Sequence, residues 1–388
     1  MARSILGAAL GVALSSALFV SSPPALAQPE PVEAPSRSVS VLPSSEELKA
    51  CLNLAAAAEC LDRLYREALR AHSTREALRQ IQQLEAADPE LRRDCHPIVH
   101  AIGRETFRLK GNIHDAFSAC DQTCHSGCYH GSVERFLRGD DLYAQAGRHP
   151  SQAELREKAA SACKPDDVLR VRFQCLHGLG HALLFFSRYQ LQSALEACDG
   201  LADAWSRESC YGGVFMENVA GNAEKRETSL IDYHYPCNAV APRYRRECYL
   251  MQTSKMAALG AAIAEMFREC ARAAEYREPC VQSIGRDLSN EARAGNARAV
   301  AETCETAPAL DREPCMRGVI YALVDNTWDT RYALPFCSAF SREHDRTKCA
   351  SDTFAYLETT FGRTADEILN DCLRHANEKS RCVRIGQS

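Results

Sequence analysis

Several things are missing from this chain of 388 residues. There is no excess of positive charge: 46 Lys and Arg stand against 51 Asp and Glu, a net charge of −5 with a pI near 6.2. Without a basic footprint, a nucleic-acid partner is disfavoured. Beyond the first twenty residues no run is long and apolar enough to cross a bilayer. The short catalytic signatures are missing too: no Walker A, G-x-S-x-G or G-x-G-x-x-G occurs in a suitable context. His177-Gly-Leu-Gly-His181 has the spacing of a zinc metalloprotease helix but lacks the general-base Glu between its histidines. Cys120-Asp-Gln-Thr-Cys124-His125 is one residue too long for covalent haem attachment, and nothing further supports a haem held by axial His.

What the chain has in excess is cysteine, 20 residues of it, alongside 46% hydrophobic residues, enough for a packed core. In an oxidising compartment these thiols make ten disulfides. The N-terminus points to such a compartment. Arg3 precedes an apolar stretch over 5–20, and Ala25-Leu26-Ala27 is a signal-peptidase pattern. Residues 1–27 are therefore expected to be a signal peptide with cleavage after Ala27. Residues 28–47 are expected to be a flexible leader, and the mature protein to be periplasmic or secreted, with no membrane span.

The cysteines are periodic. Taking the second of each close pair (Cys60, Cys95, Cys128, Cys175, Cys210, Cys248, Cys280, Cys315, Cys349, Cys382), successive steps cluster near 35 residues, with one of 47. A fixed period of this size marks a helical-hairpin array. Charged stretches such as Arg277-Glu278-Pro279 and Arg312-Glu313-Pro314 precede the second cysteine as helix start signals. Glu208 and Glu247 are expected to support helix starts in the same way. Apolar runs follow, and strand-like alternation is scarce. The chain is expected to be all-α: an α-solenoid of about ten disulfide-stapled hairpins, with helical repeats over 48–225 and 226–388.

That layout predicts eight local disulfides: Cys51–Cys60, Cys163–Cys175, Cys198–Cys210, Cys237–Cys248, Cys270–Cys280, Cys304–Cys315, Cys337–Cys349 and Cys372–Cys382. Each small ring contributes ~2–3 kcal/mol in the chain-entropy picture. Repeat register joins Cys120 to Cys128, which leaves Cys95 for Cys124; spacing alone leaves the pairing of this quartet open. Tyr129, Tyr211 and Tyr249, each directly after a cysteine, are expected in the core. The 35-residue pitch resembles tetratricopeptide and Sel1-type repeats, and the Cys-loop-Cys staple is similar to secreted cysteine-rich Sel1-like proteins. The resemblance spans about residues 48–385 and is architectural, since the Gly/Ala and Trp/Gly/Tyr patterns of those repeats do not occur. It implies a surface for a protein or peptide partner and assigns no residue a role.

The 12 histidines are concentrated in consecutive units. His130 and His177 each stand two residues after their second cysteine, and Glu134 and His181 six after. His96 and His100 repeat the i, i+4 spacing in the preceding unit, so each pair shares one helix face. Imidazoles from helices packed 8–10 Å apart can converge on one ion. The candidate metal ligands are His96, His100, His130, Glu134, His177 and His181, with Glu105 and Glu217 in reserve and His125 in a loop. Gly131, Gly178 and Gly180 leave room on the same face for a ligand or a close helix. With every thiol oxidised, the N/O donor set points to zinc, copper or iron. Such a centre with an open position would allow oxidation or hydrolysis. His72, His114, His149, His234, His344 and His375 lack a register partner and are expected at the surface, and 237–382 is expected to serve architecture or partner binding. Without a metal, the chain reads as a scaffold for a protein or peptide.

Overall fold

The computed structural model describes residues 41–138, 151–164, 167–220, 226–376, 379 and 382. The expected signal peptide, most of the leader and His149 lie outside these residues, as does the segment 221–225 beside the expected boundary between the two repeat regions. Among the described residues the chain forms nineteen α-helices and no strand. The first ten are α1 (Ser45–Leu52), α2 (Ala57–Ala68), α3 (Thr74–Ala87), α4 (Pro89–Lys110), α5 (Ile113–Ala119), α6 (Thr123–Arg138), α7 (Gln152–Ala162), α8 (Leu169–Phe186), α9 (Leu191–Cys198) and α10 (Ala204–Ala220). The rest are α11 (Pro242–Tyr249), α12 (Gln252–Ala258), α13 (Ile263–Arg272), α14 (Arg277–Glu291), α15 (Ala297–Thr306), α16 (Arg312–Thr327), α17 (Ala333–Ser338), α18 (Glu343–Phe361) and α19 (Ala365–His375). No helix among the described residues is long and apolar enough to cross a membrane.

Local chemistry sets the helix starts. Ser44, Ser73, Ser151 and Thr364 each cap a helix and are answered by a Glu three residues on, forming capping boxes. Asp88 caps α4, with Pro89 in its first turn. Gly111, with φ of 74°, ends α4 in the left-handed conformation that glycine adopts freely. Glu278 and Glu313 sit in the first turns of α14 and α16, as expected. Glu247 does not: it lies in the last turn of the eight-residue α11 and is buried, so it supports no helix start. Glu208 also falls after the first turn of α10.

All ten disulfides form. The eight local pairs are those read from the spacing, and the quartet resolves as Cys120–Cys128 and Cys95–Cys124. Nine span 8 to 12 residues, while Cys95–Cys124 spans 29 and ties α4 to α6. In most units the first cysteine ends one helix and the second lies one or two turns inside the next. The staple thus joins two helices rather than closing a long loop. Cys237 departs from this, standing in the turn-rich segment 226–241 where other units have a helix.

Glycines set how closely the long helices pack. A Cβ on Gly131 would lie 2.0 Å from the His100 carbonyl oxygen, and one on Gly103 2.1 Å from that of Cys128. The same reciprocal contact joins α8 to α10, through Gly180 against Cys210 at 2.0 Å and Gly213 against His177 at 1.9 Å. It recurs between α14 and α16, through Gly285 against Cys315 and Gly318 against Gln282. Only a residue without a Cβ permits such backbone approach. The helices α4, α6, α8 and α10 pack one on the next in that order. Within α8, every residue from Gln174 to Leu184 is buried, as befits a helix covered on several sides.

Packing also crosses large distances in sequence. Helix α16 contacts α6, and α18 contacts α8. The ring centroid of Trp328 lies 5.7 Å from that of Tyr129, and Phe361 lies 6.4 Å from Phe173. An array in which each hairpin touches only its neighbours would not make these contacts. Tyr129, Tyr211 and Tyr249 are all buried, as expected.

Candidate metal centre

Three long helices carry the candidate histidines, and the staples register them. α4 brings His96 and His100, α6 brings His130, and α8 brings His177 and His181. In each helix a buried cysteine of a disulfide lies one to six residues before the histidines, so the covalent frame and the imidazoles lie within two turns of each other. The five rings form one contiguous cluster. Centroid distances run from 4.5 Å (His96–His100) and 4.7 Å (His130–His181) to 6.3 Å (His100–His181). Two triads, His96/His100/His130 and His130/His177/His181, each bring three ring nitrogens within 4.8 Å of one another. Nε2 of His96 and Nε2 of His100 are 3.0 Å apart. Two nitrogens bound tetrahedrally to one ion with bonds of ~2.0–2.1 Å stand about 3.3 Å apart.

The rings are oriented from outside the cluster. His96 donates through Nδ1 to the Cys124 carbonyl at 2.7 Å, which turns its Nε2 toward His100. His181 bonds through Nδ1 to Glu217 Oε2 at 3.0 Å, and the Tyr189 hydroxyl donates to the other oxygen of that carboxylate at 2.7 Å. His177 bonds to the Ser209 backbone, and its Nε2 lies 3.5 Å from Met216 Sδ. Nδ1 of His100 faces Glu134 Oε2 at 3.6 Å. An imidazole whose outer nitrogen is tied to a carboxylate or carbonyl presents the inner one in a fixed direction, the usual support of a metal ligand.

His130, His177 and His181 are 2%, 8% and 5% exposed, whereas His96 and His100 are half-buried and form the accessible edge. Both ring nitrogens of His130 and Nε2 of His181 are buried with no hydrogen-bond partner. Buried polar atoms are nearly always satisfied, so three such nitrogens at one point mark a place suited to a cation. Burial, followed by the neighbouring imidazoles, pushes His130 well below its ordinary pKa of 6.5. Burial does the same to His177, and lowers His100 against the pull of Glu134. These three rings are thus held toward the neutral form, the one that ligates.

Glu134 takes a different place from the one expected. Its carboxylate is not among the converging nitrogens, because Arg104, one turn beyond His100, holds Oε2 at 2.8 Å while also binding Asp62 of α2. Burial pushes the Glu134 carboxyl up, but Arg104 and His100 overcome it and keep the group well below the carboxylate range. Glu134 therefore backs His100 as Glu217 backs His181. Burial likewise raises Glu217, and His181 and Tyr189 bring it below its ordinary value. Glu105 is tied to Arg66 and Arg108 and is not among the residues of either triad. His125 stands in the first turn of α6 rather than in a loop, and its side chain lies outside the described residues.

The expected glycines act as seats for helices and rings. Gly131 and Gly180 admit neighbouring backbones, and Gly178 admits the ring of His130. Met216 escaped the sequence reading, although it stands six residues after Cys210, the position of Glu134 and His181 in their units. His114 and His344 are exposed as expected, and His72 and His375 are partly so. His234 is a correction: its side chain is 17% exposed, bonded to the Tyr249 hydroxyl and 3.4 Å from Glu269, because the turn-rich segment folds it onto α11 and α13.

Two further groups have metal-like spacing. Glu85 with Cys95 and Cys124 is disqualified by the disulfide between those cysteines. In the group Asp329, Asp371 and His375, Arg331 engages both oxygens of Asp329, and Asp371 accepts from the Thr330 amide. Comparison with protein-family models, with curated proteins and with solved structures finds no match, so the resemblance to Sel1-type and tetratricopeptide repeats gains no support from relatives.

Proposed function

We propose that this chain is a periplasmic or secreted protein, released by cleavage near Ala27, that binds a transition metal through His96, His100, His130, His177 and His181. In this reading the stapled helices are successive hairpins of one α-solenoid of about ten units, similar in pitch to Sel1-type and tetratricopeptide arrays but with its late helices α16 and α18 returning onto α6 and α8. Ten disulfides and no membrane-spanning helix among the described residues fit an extracellular or periplasmic setting.

The observation that carries the reading is the division of labour in the imidazoles. Outer nitrogens are engaged by Cys124, Ser209, Glu134 and Glu217, while inner nitrogens converge and, at His130 and His181, have no protein partner. Among zinc, copper and iron, the thioether of Met216 beside His177 favours copper, since soft sulfur joined to imidazole suits that metal. The half-buried edge at His96 and His100 leaves the centre a route to solvent, where an open position would carry oxidation or hydrolysis.

The test is metal analysis of protein purified without a histidine tag and reconstituted with copper, zinc and iron in turn. Near-stoichiometric retention is expected, and it should fall in His177→Ala/His181→Ala while helical content stays, because the disulfides hold the units. Wild-type protein that retains none of the three would refute the reading and leave the partner-binding scaffold in its place.

A further inference from the structure

Resting on that reading, the geometry points to a two-metal centre in which the imidazole ring of His130 bridges the ions, one held with His96 and His100 and the other with His177 and His181. The two triads share His130 and no other residue. Its helix α6 packs between α4, which carries the first pair, and α8, which carries the second.

His130 differs from the other four histidines in its surroundings. His96, His177 and His181 each commit a ring nitrogen to a carbonyl, backbone group or carboxylate, and His100 faces Glu134 with one of its own. Each thereby keeps one nitrogen for an ion, as a terminal ligand does. His130 commits neither, although it is 2% exposed and polar atoms so buried are nearly always paired. A terminal role would leave its second nitrogen unsatisfied. An ion on either side satisfies both.

The surroundings are doubled in the same way. Each triad has its own carboxylate behind a terminal histidine, Glu134 behind His100 and Glu217 behind His181, so each ion would have one anion close to its ligand set. At Gly178, on α8, a Cβ would press on the His130 ring, 3.0 Å from its Cδ2. Gly127 stands likewise at the first pair, where a Cβ would come within 3.2 Å of His100 Cδ2 and 3.3 Å of His96 Nδ1. When the second metal–nitrogen bond forms, the ring N–H bond of His130 breaks and its proton leaves to solvent. The ring becomes an imidazolate, and no atom changes oxidation state.

The experiment is a copper(II) titration of the full disulfide-bonded chain, with loose copper removed by gel filtration in a glycine buffer. Bound copper is counted and the electron paramagnetic resonance signal is integrated. Two coppers per chain are expected, with an integrated signal well below that of two isolated ions and a half-field transition from coupling through the ring. His96→Ala/His100→Ala and His177→Ala/His181→Ala should each keep one copper at full signal. His130→Gln should abolish the half-field transition, with circular dichroism reporting that the helices persist. Saturation at one copper, or two coppers at full uncoupled signal, overturns the bridge while leaving metal binding intact. A complete absence of bound copper, zinc and iron overturns the metal reading itself. The wild-type spectrum decides the matter even if His130→Gln fails to fold.

Discussion

Gly178 and His130 touch across the α6–α8 seam so closely that a Cβ on the glycine would stand 3.0 Å from Cδ2 of the ring and 3.1 Å from its Cα. The position of the shared histidine is therefore set by the absence of a side chain on the neighbouring helix. Gly178→Ala is expected to displace the ring and weaken metal binding by about tenfold or more, the scale seen when a supporting contact of a ligand is lost. Gly285→Ala makes a harder clash at the α14–α16 seam, 2.1 Å from the Cys315 carbonyl oxygen. It is expected to cost about 1–3 kcal/mol of stability as an overpacked core does, with metal affinity unchanged. Isothermal titration and thermal unfolding of the two variants separate the effects. Equal loss of affinity in both would contradict the assignment.

Glu217 fixes the tautomer and direction of His181. Glu217→Gln keeps the shape but removes the charge, and a 10–100-fold loss of metal affinity is expected. Tyr189→Phe, which removes the hydroxyl donating to the other carboxylate oxygen, should act in the same direction and less strongly. Competition against a chelator of known affinity measures both, and an unchanged Glu217→Gln would show that His181 needs no such support.

Acid should destabilise the metal-free protein. His130 and His177 lie well below 6.5 in the fold, so the unfolded chain takes up protons as pH drops past 6.5 and the fold does not. Stability is then fully present above about pH 6.5 and falls below it, by up to about 1.4 kcal/mol per pH unit for each histidine. Glu134 and Glu217, held below their ordinary value of 4.5, contribute stability present above that pH and lost as pH falls through their folded values. The slopes share one sign. Unfolding midpoints recorded from pH 7.5 to 5 should decline, and less steeply in His177→Gln. A midpoint flat across that range would contradict the neutral, buried imidazoles.

The distant staples should matter for stability alone. Cys270→Ser/Cys280→Ser opens a ring of separation 10 on α13 and α14, neither of which carries a candidate ligand. A loss of ~2–3 kcal/mol is expected with metal stoichiometry preserved. Denaturant unfolding beside metal analysis checks both halves.

Much of this was legible because the information is local. A cysteine pair 8–12 residues apart, flanked by helical patterns, has few other partners within reach, and the cysteine period also aligned His130 with His177. Met216 was passed over although it occupies the same register as His181, because a thioether does not announce itself as a ligand until an imidazole is seen 3.5 Å away. Glu134 was misplaced because its fate is decided by Arg104 on another helix, and a competing cation cannot be read from spacing. The glycines carried an ambiguous signal, room for a ligand or room for a helix, which only the packing resolves. The contacts of α16 with α6 and of α18 with α8 left no periodic trace, since a repeat describes its neighbours and is silent about partners far along the chain.

Those long-range contacts bear on how the molecule comes apart. In a strictly sequential array, the ends could fray while the middle stayed folded. Here Trp328 rests on Tyr129, and Phe361 near Phe173, so unravelling the late helices strips cover from the two that carry His130, His177 and His181. Opening becomes a concerted event. Amides in α6 and α8 should exchange with solvent at the rate of those in α16 and α18, and the imidazole cluster draws its rigidity from chain synthesised long after it.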